Sequence, residues 1–138
     1  MVTVTYQHQF NYREFETRHT PLLQLRLVYP SGSENGIDFD AHLDSGCEGS
    51  LFNGYLLQTL GGTVMNEKRK RYFSTLGDGV DGYLHHVRLS LPDVIEFELE
   101  IGFTIGTIRR NLLGRNFFDL AQIGFRERRR EYYLTFAP

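Results

Sequence analysis

Residues 44–46, Asp44-Ser45-Gly46, stand directly before the single cysteine of the chain, Cys47. A carboxylate at the end of an extended segment can hold or activate a water. A small hydroxyl beside it can fix the loop through backbone hydrogen bonds, and a glycine lets a ligand backbone come close. The same triplet is ordinary turn chemistry, so by itself it leaves both readings open. Cys47 raises nucleophilic catalysis as a rival, which requires a positioned histidine. His42, His85 and His86 show no diagnostic spacing to it, and they do not form a metal-site pattern.

Two further segments bear on the choice. Asn111-Leu112-Leu113-Gly114-Arg115-Asn116-Phe117-Phe118 reads as an apolar strand entering a tight glycine turn and then a short helix, with Asn111 or Asn116 as a local cap. Leu76-Gly77-Asp78-Gly79-Val80-Asp81-Gly82-Tyr83-Leu84 is glycine-rich and flanked by β-type residues, which predicts a flexible hairpin tip. A phosphate cradle is the alternative there. It is disfavoured because no Lys-Ser/Thr and no helix follow, and Asp78 and Asp81 would repel an anion.

These segments must be positioned by strands, because period-two patterns dominate the chain. Leu23, Leu25, Leu27 and Tyr29 alternate with Gln24, Arg26 and Val28, and Ile37, Phe39, Ala41 and Leu43 alternate with Asp38, Asp40 and His42. Pro30 and the following SGSENG form the turn between them, predicting a hairpin whose second strand ends at Asp44. Val87, Leu89 and Leu91 begin a second hairpin, turned at Pro92-Asp93 and continued by the alternating run Ile95 to Ile105. Glu96, Glu98 and Glu100 on that run describe a wet sheet face rather than a metal site. Leu51 to Leu60 has roughly helical apolar spacing closed by Gly61-Gly62, which predicts a short helix or irregular turn. Phe117 to Ala121 suits a helical turn or two, and QIGFRERRREYYLTFAP a last hairpin with Arg-rich turn residues.

The chain has 138 residues, enough for one mostly β domain with a sizeable core. A formal net charge of −2 gives no global field for nucleic acid. The basic runs Lys68-Arg71 and Arg128-Arg130 read as solvated turns or strand ends. No apolar run approaches a membrane span, and MVTVTYQHQF lacks the layout of a signal peptide. One cysteine excludes an intrachain disulfide framework and points to a reducing compartment, so a cytoplasmic protein is expected.

Taken in order, Asp44-Ser45-Gly46, the glycine-rich hairpin and Leu112-Leu113-Gly114-Arg115-Asn116 resemble the retropepsin-like (retroviral-type) aspartic proteases, over roughly residues 20–136. The resemblance implies a mostly β, single retropepsin-like (acid protease) lobe spanning residues 1–138. That lobe is closed and β-barrel-like, with one short C-terminal helix and a flap hairpin. It implies an aspartic endopeptidase acting on a peptide or protein substrate, with no cofactor, no metal, no nucleic acid and no membrane. Each chain of that family carries one catalytic aspartate, and one Asp-Ser/Thr-Gly triplet occurs here, so the resemblance implies a homodimer that brings two Asp44 carboxylates together.

By the same resemblance, Ser45 would cross-link the two active-site loops, Gly46 would offer its carbonyl to the substrate, and Cys47 would only pack. Glu48 would lie near substrate and interface and form a partly buried ion pair with Arg115. Gly79, Val80, Asp81 and Gly82 would form the flap tip over the peptide and share in binding it. Asp78 and Asp81 depart from the glycine-richest viral flaps. The chain is longer than a viral subunit before Leu22 and after Arg115, and its tail from Ile123 to Phe136 could supply interface strands. Two alternatives stand beside this reading. One is a catalytically inactive retropepsin-like dimerisation or peptide-binding module; the other is a different all-β binding domain in which Asp-Ser-Gly is only a turn.

Overall fold

The computed structural model describes residues 2–28, 36–74 and 79–136. The chain opens with β1 (His8–Asn11) and a small hairpin of β2 (Arg13–Phe15) and β3 (Arg18–Thr20). β4 (Leu22–Val28) and β5 (Gly36–Leu43) follow, then β6 (Leu51–Asn53) and α1 (Gly54–Thr59). β7 (Lys70–Ser74), β8 (Gly79–Leu91) and β9 (Ile95–Thr104) make the middle of the chain. β10 (Asn111–Leu113), α2 (Arg115–Phe118), β11 (Ala121–Arg126) and β12 (Glu131–Phe136) complete it.

Alternation becomes structure where one sheet face is buried. Leu23, Leu25 and Leu27 are buried while Gln24 and Arg26 stay exposed, and β4 pairs antiparallel with β5 in the register Leu25↔Phe39. Tyr29 and the Pro30 turn up to Asn35 lie outside the described residues; Gly36 already belongs to β5. β8 and β9 pair antiparallel, with Val87 opposite Leu99, around a turn in which Asp93 takes φ 65°. The tail forms the expected hairpin, β11 against β12, turned by a single 3-10 turn at Glu127–Arg129 and by Arg130 at φ 55°.

Six strands close a ring of hydrogen-bonded neighbours in the order β4-β5-β10-β6-β9-β8, with β8 returning to β4 at Arg26↔Ser90. β7 extends the outer half of β8. Phe52 sits at the centre of the core, edge-on to Phe39 at 4.9 Å and to Phe103 at 6.1 Å between ring centroids. A second sheet, β1-β12-β11, packs onto this ring through Tyr132, whose buried hydroxyl donates to the Leu22 carbonyl at 2.7 Å. β12 is flanked on both edges, so the edges of this sheet belong to β1 and β11. Among the described residues no helix is long and apolar enough to cross a membrane.

One expected element changes type. The helix predicted from Leu51 begins only at Gly54, and Leu51, Phe52 and Asn53 form β6. All three are buried, because β6 lies between β10 and β9 and both of its faces meet core. A strand buried on both faces loses its alternation and imitates a helical run. α1 ends as expected at Gly61, which takes φ +85° and donates to the Gln58 carbonyl at 2.9 Å.

Phe52→Ala should cost about 3–5 kcal/mol of unfolding free energy, because no neighbour can collapse into the centre of a closed ring. Tyr55→Ala, on the exposed side of α1, should cost under about 1 kcal/mol. Urea denaturation of both variants checks the contrast.

Candidate active site

β5 and β10 run parallel as neighbours, in the register Leu43↔Leu113. Asp44 and Gly114 therefore leave the carboxyl ends of two adjacent strands side by side. The Asp44 amide donates to the Leu113 carbonyl at 2.9 Å, and the Arg115 amide donates to the Cys47 carbonyl at 2.7 Å. Between these two bonds Gly114 presses directly on the loop: a Cβ there would collide with the carbonyl oxygens of Gly49 and Cys47. Only glycine permits this approach.

Ser50 ties the same junction from beneath. Its buried hydroxyl accepts from the Gly114 amide at 2.9 Å and donates to Asn116 Oδ1 at 2.6 Å. Asn116 Nδ2 in turn donates to the Glu100 carbonyl at 2.9 Å, and the Gly102 amide donates to the Ser50 carbonyl at 2.9 Å. Asn116 thus links three segments instead of capping α2. Asn111 likewise accepts from the Asn53 amide at 2.8 Å and from Asn53 Nδ2 at 3.0 Å. Ser50 carries no signal of its own in the sequence; only the folded junction distinguishes it.

Inside this frame the loop folds on itself. The Gly46 amide donates to Asp44 Oδ1 at 2.9 Å, a local turn that fixes the carboxylate. Asp44 is half-buried, while Ser45 and Gly46 are exposed. Asp44 and Gly46 line a cleft of about 720 Å³ with Cys47, Leu51, Val80 and Leu112. Ser74, Ile108, Arg109 and Arg110, none of them singled out from the sequence, complete its wall. The adjacent arginines immediately before the Asn111-to-Asn116 motif are the signal that could have drawn attention to that wall.

Cys47 is buried in an apolar cluster with Leu51 and Phe73, as expected of a packing residue. Burial, together with the nearby Asp44 carboxylate, pushes its thiol pKa up and so disfavours the nucleophilic thiolate. Glu48 does not meet Arg115. Its exposed carboxylate takes Arg71 Nη2 at 3.0 Å instead, because β7 passes over the loop. Arg115 is exposed, no carboxylate lies within 4.0 Å of it among the described residues, and it holds the loop through its backbone amide alone.

The hairpin of β7 and β8 stands where a lid was expected, but its residues are placed differently. Gly79, Val80, Asp81 and Gly82 are strand residues of β8, paired with Ser74, Phe73, Tyr72 and Arg71. The connecting residues 75–78, including Gly77 and Asp78, lie outside the described residues. Val80 reaches the cleft, whereas Gly79, Asp81, Gly82 and Glu48 do not line it. Gly82 has a packing reason: a Cβ there, or on Gly102, would meet the Phe73 ring at 2.6 or 2.7 Å.

His42 lies on β5 just before the loop, buried edge-on against Phe15 at 4.6 Å, and its Nε2 has no hydrogen-bond partner among the described residues. Burial, reinforced by the Arg110 charge, pulls its pKa down to about 4, against weaker opposing pulls from Asp40 and Asp44. Among the described residues no group of three His, Cys, Asp or Glu is placed to hold a metal ion.

No family model matches the sequence, and no curated protein matches it. The structure is similar to the crystal structure of a retropepsin-like aspartic protease from Rickettsia conorii, with a TM-score of 0.59 at 12% sequence identity. The match covers 98% of this chain and 99% of that one. The chain therefore has the mostly β fold of a single retropepsin-like lobe.

Two outcomes follow from this geometry. Gly114→Ala should destabilise the protein by about 3 kcal/mol or more, since its obstacle is backbone. Gly106→Ala, where an added Cβ meets nothing within 4 Å, should change stability by under about 0.5 kcal/mol. His42 has a folded-state pKa below its ordinary value of 6.5, so its contribution to stability is complete above that value and is lost as pH falls toward 4. Over that window it should remove about 3 kcal/mol, and His42→Leu should flatten this part of the stability profile in chemical denaturation across pH.

Proposed function

We propose that the chain is an aspartic endopeptidase whose active form is a homodimer, with one Asp44 from each subunit facing its twin across a two-fold axis. The observation that carries this reading is the placement of Asp44. A half-buried carboxylate lines a partly apolar cleft, on a loop clamped to the Gly114 turn, in a fold shared with a retropepsin-like aspartic protease. Ser45 and Gly46 lie exposed beside it, free to meet a second subunit or a substrate backbone.

Two carboxylates that approach closely cannot both ionise easily, so the pair holds one proton; the aspartic-protease dyad is the reference case of this coupling. The ionised Asp44 takes a proton from a water as the water oxygen attacks the scissile carbonyl carbon. The protonated Asp44 of the other subunit donates to the carbonyl oxygen, giving a neutral tetrahedral diol. As the C–N bond breaks, the Asp44 that took the water proton gives it to the leaving amine. The other Asp44 takes a proton from a diol hydroxyl as the carbonyl re-forms as a carboxylic acid, which restores the singly protonated pair. The hydrogen bond that the Gly46 amide donates to Oδ1 keeps each carboxylate oriented through these steps. An extended peptide would run between the loop and the β7–β8 hairpin, with alternate side chains entering the apolar wall formed by Leu51, Val80, Ile108 and Leu112.

The test is incubation of the purified protein with a mixed peptide library from acidic to neutral pH, beside Asp44→Asn. The expected result is cleavage by the native chain, reduced about a thousandfold or more in the variant. Specific activity should rise with protein concentration, because dimerisation completes the site. Equal cleavage by both proteins would sink the aspartic mechanism. A confirmed dimer that cleaves nothing would favour a retropepsin-like binding module.

A further inference from the structure

The cleft beside Asp44 has an uneven wall. Cys47, Leu51, Val80, Ile108 and Leu112 are apolar, and two exposed cations, Arg109 and Arg110, interrupt them. The two arginines are in different situations. Arg109 is committed: its Nε donates to Glu16 Oε1 at 2.6 Å, and its Nη2 meets Oε2 of the same carboxylate. Glu16 itself sits at the β2–β3 turn in the left-handed region, at φ 60°. Arg110 is positioned without being neutralised. Its guanidinium lies over the Phe15 ring, 5.4 Å from the centroid, and no carboxylate lies within 4.0 Å of it among the described residues.

We propose that Arg110 selects substrates, taking a glutamate or aspartate side chain of the peptide beside the scissile bond. A guanidinium held over an aromatic face keeps its fork of N–H donors free for a carboxylate, whose geometry it matches. The Phe15 platform limits the side-chain entropy lost on pairing, and the apolar neighbours exclude water from one side of the pair. A lysine or arginine in the same subsite would meet a like charge with no local partner to relieve it. In a two-fold dimer one Arg110 stands on each side of the dyad, so an acid is accepted on either side of the cut. The cleavage component of this inference rests on the proposed protease function; the binding component does not.

The experiment uses three peptides that differ at one position next to the cleavage site, Glu, Gln or Lys. Each protein is scored by its own ratio of kcat/KM values, which cancels differences in folded fraction. The native chain should prefer Glu over Gln by about fivefold, the size expected of a partly exposed charge pair, and more at low salt. Arg110→Ala should bring that ratio to about one, Arg110→Lys should retain a preference for Glu, and Arg110→Glu should turn the preference toward Lys. A Glu preference unaltered in Arg110→Ala, or absent from the native chain, overturns the proposal. The same peptides are titrated by fluorescence anisotropy against Asp44→Asn, with and without Arg110→Ala. Tighter binding of the Glu peptide that needs Arg110 supports the subsite even where no peptide is cut, and equal binding of all three overturns it. Loss of cleavage with Arg110-dependent binding intact would count against the protease reading alone.

Discussion

The site depends on one junction, the clamp between the loop that follows β5 and the turn that follows β10. Parallel pairing of those strands delivers Asp44 and Gly114 to the same place. Two backbone hydrogen bonds, from Asp44 to Leu113 and from Arg115 to Cys47, then fasten loop to turn. The absence of a side chain at Gly114 lets the two backbones touch, and Ser50 satisfies the amide that this contact buries. An unpaired buried amide costs about 1–3 kcal/mol, a cost that the Ser50 hydroxyl removes at Gly114. The clamp ties the loop that carries the half-buried carboxylate to the sheet through backbone bonds. This is the preorganisation that acid–base chemistry on a bound water requires.

The electrostatics around that carboxylate are equally local. Just before the loop, His42 is buried, with no partner for Nε2 among the described residues, and burial together with the Arg110 charge holds its imidazole neutral at neutral pH. To one side, Arg109 is neutralised by Glu16 while Arg110 is held over Phe15. The β2–β3 hairpin supplies both Glu16 and Phe15, so an N-terminal segment outside the closed ring shapes the charge of the cleft wall. On the other flank, Glu48 and Arg71 pair in the open, where such a pair contributes about 0–1 kcal/mol. Loop position therefore rests on backbone bonds and packing, not on the ion pair expected from the resemblance.

Much of this was legible in the sequence, for a physical reason. Strands with one wet face announce themselves by alternation, so β4–β5, β8–β9 and β11–β12 could be read directly. The three motifs could be read because each needs particular residues: a carboxylate, a glycine without a Cβ, and an apolar strand entering a turn. β6 could not, because burial on both faces erases alternation. Nor could β1, whose partner is distant in the chain, as His8↔Leu134 illustrates, or the β2–β3 hairpin, whose three-residue strands are too short to show a period. Glu48 pairs with Arg71 and not with Arg115 because partner choice depends on which strand passes the loop, a property of the folded sheet and not of spacing. Gly82 was read as a mobile tip, whereas it makes room for Phe73.

The central claim is that two copies of Asp44 act as one catalytic unit. Subunit mixing tests it most directly. The native chain and Asp44→Asn are combined at constant total concentration, allowed to exchange, and assayed on a cleaved peptide as the native fraction varies. A shared dyad predicts that heterodimers are inactive, so activity falls as the square of the native fraction. Activity that falls in direct proportion to the native fraction would mean that each chain cuts alone, and would contradict the account.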